Sequence, residues 1–416
     1  MLRSMYSGIS GIRVHQTKLD VIGNNIANVN TVGYKASRTV FQEVYSQTLK
    51  AAAAPTTDGN RGGTNPQQVG LGVSVAAIDV LHTSSGVQRT DKATDLAIEG
   101  DGFFVVADGD TRYYTRAGNF DISPNGYLVS ASGLKVQGWT QKDENGEIMV
   151  SSSPDSLTDI RLDSNMHMPA NPTSYIEFAG NLDSRAEVED TVKYTATIID
   201  SLGNEHSIIL EFKKQDGNNW GLSIDSPTAD IGKVSSNKIS FSNDGKLSDP
   251  QSITIETITF KNDAAQIQDL ELRFDKENTT QQARETSIKA VDTDGYGPGT
   301  LDSINIDSSG RVIGIYTNGR MQVEAIIAIA SFNNPAGLAK MGNNLFYNTP
   351  NSGEVQLGMA GTSGLGSINP GALEMSNVDL ANEFTEMITA QRGFQANSRI
   401  ITTSDELLQE LVNLKR

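Results

Sequence analysis

The sequence predicts an α+β protein of several domains. The N-terminal and C-terminal helices pair with each other in a coiled-coil-like inner domain, and two mainly-β outer domains are nested between them in the chain. At 416 residues the chain exceeds one typical domain. Apolar residues follow helical spacing only near the two ends, whereas the interval alternates with a period of two. Glycine is frequent at 39 residues, which suits β domains with many turns.

The N-terminal helix is predicted from residues spaced alternately four and three apart. The large apolar members of this stripe, here called the N-terminal seam, are Met5, Ile9, Ile12, Leu19 and Ile26. Such spacing places them along one side of a helix, as in a heptad seam. The asparagines that follow favour caps and turns, so the helix should end near them.

The same spacing returns after Pro370-Gly371 and continues to the end of the chain. The apolar members, here called the C-terminal seam, are Leu380, Phe384, Met387, Phe394, Ile401, Leu408 and Val412. A helix of about 35 residues would be about 50 Å long, and an isolated terminal helix of that kind is marginal in water. We therefore predict that residues 1–50 and 370–416 pair and that pairs from different copies pack together; the alternative, in which each helix docks on its own globular domain, stays open here.

The stretch between the helices divides into a connector and two β domains. Residues 51–71 read as an extended linker with a hinge at Pro55, Gly59, Gly62, Gly63 and Pro66. Alternating strands with Asp-Gly and Asn-Gly turns predict one middle β domain from residues 72–150 and 285–369. Residues 151–284 form a second β-rich block, which we interpret as an outer domain inserted into the middle one.

Composition argues against several classes of partner. The formal net charge is −17, opposite to the positive surface that binds phosphates, so we expect no nucleic-acid partner. No apolar run approaches the ~20 residues that cross a bilayer, so we expect no membrane insertion. The first residues lack the apolar core of a Sec signal peptide.

Motifs for chemistry are missing from the sequence. The four histidines are scattered singly, and there is no cysteine to serve as a nucleophile or thiolate ligand. Fragments resembling a Ca²⁺ loop, at Asp108 and Asp292, do not continue to a glutamate at position twelve. We therefore expect no enzyme, no metal and no cofactor.

Both chain ends carry distinctive motifs. In the stretch from Ile22 to Lys35 the characteristic residues are Asn24, Asn25, Ala27, Asn28, Thr31, Gly33 and Lys35. This stretch resembles the signature that closes the N-terminal helix in the axial proteins of the bacterial flagellum, the rod and hook family. Residues 376–384 and 387–398 resemble their C-terminal helix. Residues 95–106 and 114–139 resemble β segments shared by distal rod and hook proteins.

Within that family, the length and the large insertion resemble hook subunits, as does the stretch from Phe332 to Leu338. The resemblance implies a structural subunit that polymerises into a curved, flexible tube and transmits torque from motor to filament. Its implied partners are further copies of itself, the distal rod below, the hook–filament junction proteins above, and the hook cap and type III export apparatus during assembly. The implied place is outside the cell, reached without a Sec signal. Two alternatives remain, a distal rod-type protein with an unusual insertion and a secreted β-rich binding module.

Overall fold

The computed structural model describes residues 2–54, 62–143, 146–163, 166–262 and 264–414. Contacts divide the chain into two compact units. Unit 1 comprises Met1–Leu162, Ile304–Ile313 and Val323–Arg416, and unit 2 comprises Asp163–Ser303 and Gly314–Gln322.

Two long helices lie near the ends of the chain, α1 at Leu2–Ala27 and α2 at Leu380–Asn413. The end of α1 is closed by side chains, since the Asn28 amide donates to the Asn24 carbonyl at 2.9 Å. At the start of α2, Asp379 Oδ1 accepts hydrogen bonds from the backbone amides of Ala381 and Asn382, as an N-cap does. The predicted class, an α+β chain with one helix at each end, is confirmed.

The strands fill the interval between the helices. The strands before unit 2 are β1 (Ser37–Glu43), β2 (Ser46–Lys50), β3 (Gln67–Gly70), β4 (Val73–Val80), β5 (Val87–Arg89), β6 (Leu96–Glu99), β7 (Phe103–Asp108), β8 (Thr111–Thr115), β9 (Phe120–Ile122), β10 (Leu128–Ser130), β11 (Lys135–Trp139) and β12 (Thr158–Asp159). Those of unit 2 are β13 (His167–Met168), β14 (Tyr175–Asp183), β15 (Thr191–Ile199), β16 (Glu205–Lys214), β17 (Asn219–Asp225), β18 (Ala229–Ile231), β19 (Lys238–Phe241), β20 (Leu247–Asp249), β21 (Ser252–Phe260), β22 (Ile267–Gln282) and β23 (Lys289–Thr293). The remainder are β24 (Gly299–Ile306), β25 (Arg311–Tyr316), β26 (Met321–Ile327), β27 (Ile329–Ser331), β28 (Ala339–Gly342), β29 (Leu345–Tyr347), β30 (Gln356–Gly358), β31 (Ser367–Pro370) and β32 (Ala372–Glu374).

The β body of unit 1 is built around β7, which is buried on both faces. Phe104 and Val106 point into one apolar core together with Phe120 and Ile327. Phe103 and Val105 of β7 belong to a second core on the opposite face. Hydrogen-bonded neighbours run in the order β26-β11-β7-β8-β29-β28, with β27 also pairing β7. A central strand that is apolar on both faces explains the continuous apolar run in the sequence.

Unit 2 is a β-sandwich of two five-stranded sheets. One sheet has the order β18-β21-β22-β14-β23 and the other β15-β16-β17-β19-β20. Side chains of both sheets, among them Phe178, Phe212, Trp220 and Leu272, form one buried core. Outward residues alternate with these along each strand, for example along β16, as expected for packed sheets with a solvated outer face.

The predicted linker lies on a two-stranded arm of unit 1, here called the arm, residues 46–70. Its strands β2 and β3 pair antiparallel, and at its base the Leu71 amide donates to the Tyr45 carbonyl at 2.8 Å. Next to the base, β1 and β4 also pair antiparallel. The chain therefore leaves and re-enters the body at neighbouring points.

Candidate assembly interface

The two terminal helices pack against each other antiparallel within unit 1. Near the start of α1, Gly8 lies beside Ile400 and Ile401. Near its end, the Asn25 amide donates to Glu383 Oε1 at 3.0 Å. Between these two points Lys18 pairs with a further glutamate of α2, Glu386, at 3.1 Å.

The residues that touch across this helix pair are mostly small or polar. This pairing face comprises Gly8, Gly11, His15, Lys18 and Asn25 on α1, and Glu383, Glu386, Gly393, Asn397 and Ile400 on α2. A Cβ added to Gly11 would lie 2.7 Å from the Asn397 amide nitrogen, and one added to Gly393 would lie 2.6 Å from the His15 ring. The helix axes approach closely because these glycines have no side chain.

His15 is the titratable group at the centre of the pairing face. Its Nδ1 is buried without a hydrogen-bond partner among the described residues, and its ring packs edge-on against Phe41 at 5.8 Å. Burial, and secondarily the charge of Lys18, lower the pKa of His15 below its usual value. The lowered pKa favours the neutral form of the imidazole at this place.

The two predicted seams lie beside the pairing face. Ile9, Ile12, Leu19 and Ile26 on α1, and Phe384, Met387, Phe394 and Ile401 on α2, each follow directly after a pairing-face residue, so these members are turned from it by about 100° around the axis. Ile401 also reaches the pairing face, beside Gly8. In the N-terminal seam all five members, Met5, Ile9, Ile12, Leu19 and Ile26, are half-buried. In the C-terminal seam Met387, Phe394, Ile401 and Leu408 are half-buried, whereas Leu380, Phe384 and Val412 are 39%, 51% and 66% exposed.

Further large apolar side chains are exposed on the helices outside both seams. These are Tyr6, Ile388, Leu407, the C-cap residue Leu414, and Ile400, which also contacts Gly8 on the pairing face. Ile9 and Tyr6 line a groove of about 580 Å³ between α1 and the start of β4. The four–three spacing did not predict these residues, because it follows a single line of positions along each helix. Ile388 and Leu407 nevertheless adjoin seam members in the sequence.

The signature residues after α1 tie the helix end to the body. Asn25 is buried and its Oδ1 accepts hydrogen bonds from the Ser37 amide and the Tyr34 hydroxyl. The Thr31 hydroxyl donates to Asn28 Oδ1. Gly33 has φ +67°, and a Cβ there would lie 2.5 Å from the Ala117 amide nitrogen, so both its conformation and its space require glycine.

The remaining signature residues differ in exposure. Asn24 donates to the Tyr34 hydroxyl at 3.3 Å, and Ala27 is exposed at the last turn of α1. Lys35 is buried against Glu374 at 2.7 Å. No feature of a single sequence could have identified that partner, because the two residues are 339 positions apart.

Three of the predicted hinge residues, Gly62, Gly63 and Pro66, lie towards the tip of the arm before β3 and are exposed. The other two, Pro55 and Gly59, lie outside the described residues. Along the arm and its base the apolar side chains of Val44, Tyr45, Leu49, Val69 and Leu71 are 40–70% exposed.

Two negative observations complete the site. Across the described ranges, no three histidine or carboxylate side chains come together as metal ligands would. None of the described helices combines the length and apolarity that a membrane crossing requires.

Comparison with known proteins identifies related families. Four protein-family models match the chain. Residues 5–35 match "Flagella basal body rod protein", 97–175 match "Flagellar hook protein FlgE/F/G D1 domain", 161–296 match "Flagellar basal body protein FlaE D2 domain", and 369–414 match "Flagellar basal body rod FlgEFG protein C-terminal". The chain is 42% identical to the flagellar hook protein FlgE of Borreliella burgdorferi and 37% identical to that of Treponema pallidum, with 100% of each chain covered.

A solved structure agrees in fold. The Helicobacter pylori flagellar hook protein FlgE2 superposes with a TM-score of 0.50 at 14% identity, covering 69% of this chain and 100% of that one. The family matches at both terminal helices and in the β regions define an axial structural protein of the bacterial flagellum. More specifically, the chain belongs to the flagellar hook protein family.

The chain is accordingly a structural subunit of the flagellar hook, which polymerises with copies of itself as part of the flagellum outside the cell. The resemblance of the terminal motifs to this family is confirmed. Neither the rod-type alternative nor the secreted binding module is favoured by these relatives.

Proposed function

We propose that the helix pair holds the polymer together through the large apolar side chains that lie off the pairing face. The observation that carries this proposal is the difference in residue type between the contact of the two helices and the rest of their surface. Small and polar residues make most of the contact between α1 and α2, apart from Ile400 and Ile401 beside Gly8, and several large apolar side chains are exposed outside it. Phe384 and Ile388, at 51% and 59% exposure, are examples on α2.

Apolar side chains that are exposed on the helix pair favour association between copies. Fully burying a leucine, isoleucine or phenylalanine side chain stabilises by about 1.5–3 kcal/mol. Several such side chains on one helix pair therefore favour contact with further helices over exposure to water. We assign this role to the N-terminal and C-terminal seams, and extend it to Ile388, Leu407 and Leu414.

In this proposal residues 1–50 and 370–416 form a coiled-coil-like inner domain that lines the tube. The middle β domain of residues 72–150 and 285–369 surrounds it. The inserted block 151–284 forms the outermost layer, where its acidic surface and its contacts between copies set the curvature. The connector 51–71, with Pro55, Gly59, Gly62, Gly63 and Pro66, supplies flexibility between layers.

The resulting tube is curved and flexible, and it transmits torque from the rod to the filament as a universal joint. It connects the distal rod to the hook–filament junction proteins. During growth its subunits pass through the type III export apparatus, without a Sec signal, and assemble beneath a hook cap. The role is structural rather than catalytic, and it involves neither nucleic acid nor insertion into a membrane.

The experiment replaces seam residues by aspartate in the purified chain. Ile12→Asp with Leu19→Asp on α1, and Phe384→Asp on α2, should abolish polymerisation, because each places a charge in an apolar contact between copies. Ala396→Asp, at an exposed position of α2 outside the C-terminal seam, is the matched control and should polymerise. Tubes seen by electron microscopy for the seam variants, with β bodies folded by circular dichroism, would refute the role of the seams.

A further inference from the structure

A cluster of three charged side chains is buried at the base of the helix pair. Lys35 Nζ lies 2.7 Å from Glu374 Oε1, and an Arg116 guanidinium nitrogen lies 3.4 Å from Glu374 Oε2. The three side chains are at most 2% exposed. We call them the basal cluster.

The three residues come from the three parts of unit 1 that must be joined. Lys35 follows the end of α1 by eight residues, and Glu374 precedes the start of α2 by six. Arg116 directly follows strand β8 of the β body. The basal cluster therefore connects both helices to the body at one point.

Backbone contacts extend this connection. Lys35 Nζ donates to the Thr83 carbonyl at 2.7 Å, and Arg116 donates to the Gly100 carbonyl at 2.6 Å. The Ser85 amide donates to Glu374 Oε1 at 3.2 Å, and the Gly33 amide donates to the Glu374 backbone carbonyl at 2.8 Å. Each charged group is thus held by more than its ionic partner.

Further hydrogen bonds join the segments around the basal cluster. The Ala36 amide donates to Asn377 Oδ1 at 2.7 Å, and the side-chain amide of Asn377 donates to the Leu81 carbonyl at 2.8 Å. The Ser85 hydroxyl donates to the Ser376 carbonyl at 2.8 Å. These contacts surround the basal cluster with further bonds between the segments leading to α1, to α2 and to the body.

Burying these charges is costly, so stability alone does not account for them. A buried ion pair is often no more stabilising than an apolar replacement, but its hydrogen bonds accept one geometry only. Burial also lowers the pKa of Lys35 and of Arg116, with Glu374 opposing the shift in both. A directional contact at this place would fix the angle at which the helices leave the body.

We propose that the basal cluster is a rigid joint, in which Lys35 and Glu374 are positioning residues that fix the helix pair on the β body of unit 1. The joint passes force from the helices to the body without bending. Resting on the proposed function, this implies that the strain of a bent tube is taken up away from this joint, in the arm and in the contacts between copies.

The test measures the width of one distance within a single copy of the assembled polymer. The chain has no cysteine, so Asp20→Cys on α1 and Asn125→Cys in the β body, both exposed positions, can be spin-labelled selectively. Labelled chains are diluted into unlabelled chains, polymerised, and measured by double electron–electron resonance. The variant is Lys35→Met, which leaves Glu374 and Arg116 as a charge-balanced pair.

A narrow distribution is expected for the parent chain and one at least twice as wide for Lys35→Met. The control Glu324→Gln likewise removes one buried charge from an ion pair, here the carboxylate that pairs with Lys142 at 3.0 Å. This pair lies within the body, so its loss should leave the width unchanged. A parent distribution as wide as that of the variant, or a variant as narrow as the parent, would overturn the joint.

A second measurement applies if Lys35→Met forms no tubes. Hydrogen exchange of the soluble chain should then show at least tenfold faster exchange at residues 33–37 and 372–377, with the amides of β7 unchanged. Faster exchange in β7 as well, or unchanged exchange at residues 33–37 and 372–377, would overturn the proposal. Failure of the parent chain itself to polymerise would instead refute the proposed function and leave the exchange result to decide the joint.

Discussion

At the residue scale, glycines decide how closely the helices approach. Gly11 faces Asn397 with no room for a branched side chain, whereas Gly23 on the same helix has open space around the position of a Cβ. Both are helical glycines of α1, so their intrinsic cost in a helix is the same. The difference between them isolates the effect of the pairing face.

The first prediction compares these two glycines. Gly11→Val should lower the urea midpoint of the helical circular dichroism signal, because the side chain pushes α2 away. Gly23→Ala should raise it, by about 0.5–1 kcal/mol in stability, because alanine is the better helix former. Equal effects of the two substitutions would contradict the close approach at Gly11.

His82 supplies a second test, based on pH. Both ring nitrogens are buried without a partner among the described residues, and the ring packs against Phe103 and Phe346 at 5.4 and 5.3 Å. Burial, followed by the charges of Lys35, Arg116 and Lys340, lowers the pKa of His82 to about 4.

The sign of the effect follows from the lowered pKa. The unfolded chain binds a proton at its usual pKa of about 6.5, before the folded chain does, so stability should be fully present above pH 6.5 and fall towards pH 4. The loss is at most about 3 kcal/mol for this half-buried side chain. His82→Phe should flatten the dependence measured by denaturant unfolding, whereas His167→Phe, at an exposed position, should not; equal slopes for both would refute this account.

At the scale of elements, the spacing of apolar residues predicted the two helices well. The starts and ends are determined locally, by Asp379 at the start of α2 and by the asparagines that close α1, so one sequence contains the signal. The contact between the helices was not predictable in the same way. Gly11, His15 and Gly393 form it, and small or polar residues give no apolar periodicity to read.

The basal cluster shows a second limit of sequence reading. Lys35 stood out as part of a motif, but Arg116 and Glu374 did not, because charged residues are usually solvated and their burial depends on distant segments. The β body was easier to predict from the sequence, because the apolar run of β7 and the Asp-Gly and Asn-Gly turns are local signals. The antiparallel pairing of the arm was not read from its Gly- and Pro-rich composition.

The arm gives the third prediction. Ala52→Pro with Gly62→Pro should stiffen its tip while leaving β2 and β3 paired. If the tip supplies flexibility, hooks should still form but swimming speed should fall, with Ala52→Ser and Gly62→Ser as controls that preserve both. If the proline variant forms fewer hooks, but cells that do form hooks swim at the parent speed, the flexibility lies elsewhere.

At the scale of the whole molecule, the acidic, separately packed unit 2 is the part most easily removed. Joining Leu162 to Ile304 through a short Gly-Ser linker removes residues 163–303, while both ends stay within the apolar core of unit 1. The fourth prediction is a polymer that still forms but is straighter and stiffer, as judged by electron microscopy of isolated tubes. Unchanged curvature would contradict the outer role assigned to this block.

The central claim is that the helix pair, through side chains off its pairing face, holds the hook together. Electron cryo-microscopy of the polymer formed by the purified chain tests it most directly. The account predicts a curved tube whose inner wall consists of α1 and α2, with Phe384, Ile388 and the N-terminal seam buried between neighbouring copies. A tube in which these side chains face solvent, or in which the helices lie away from the inner wall, would contradict it.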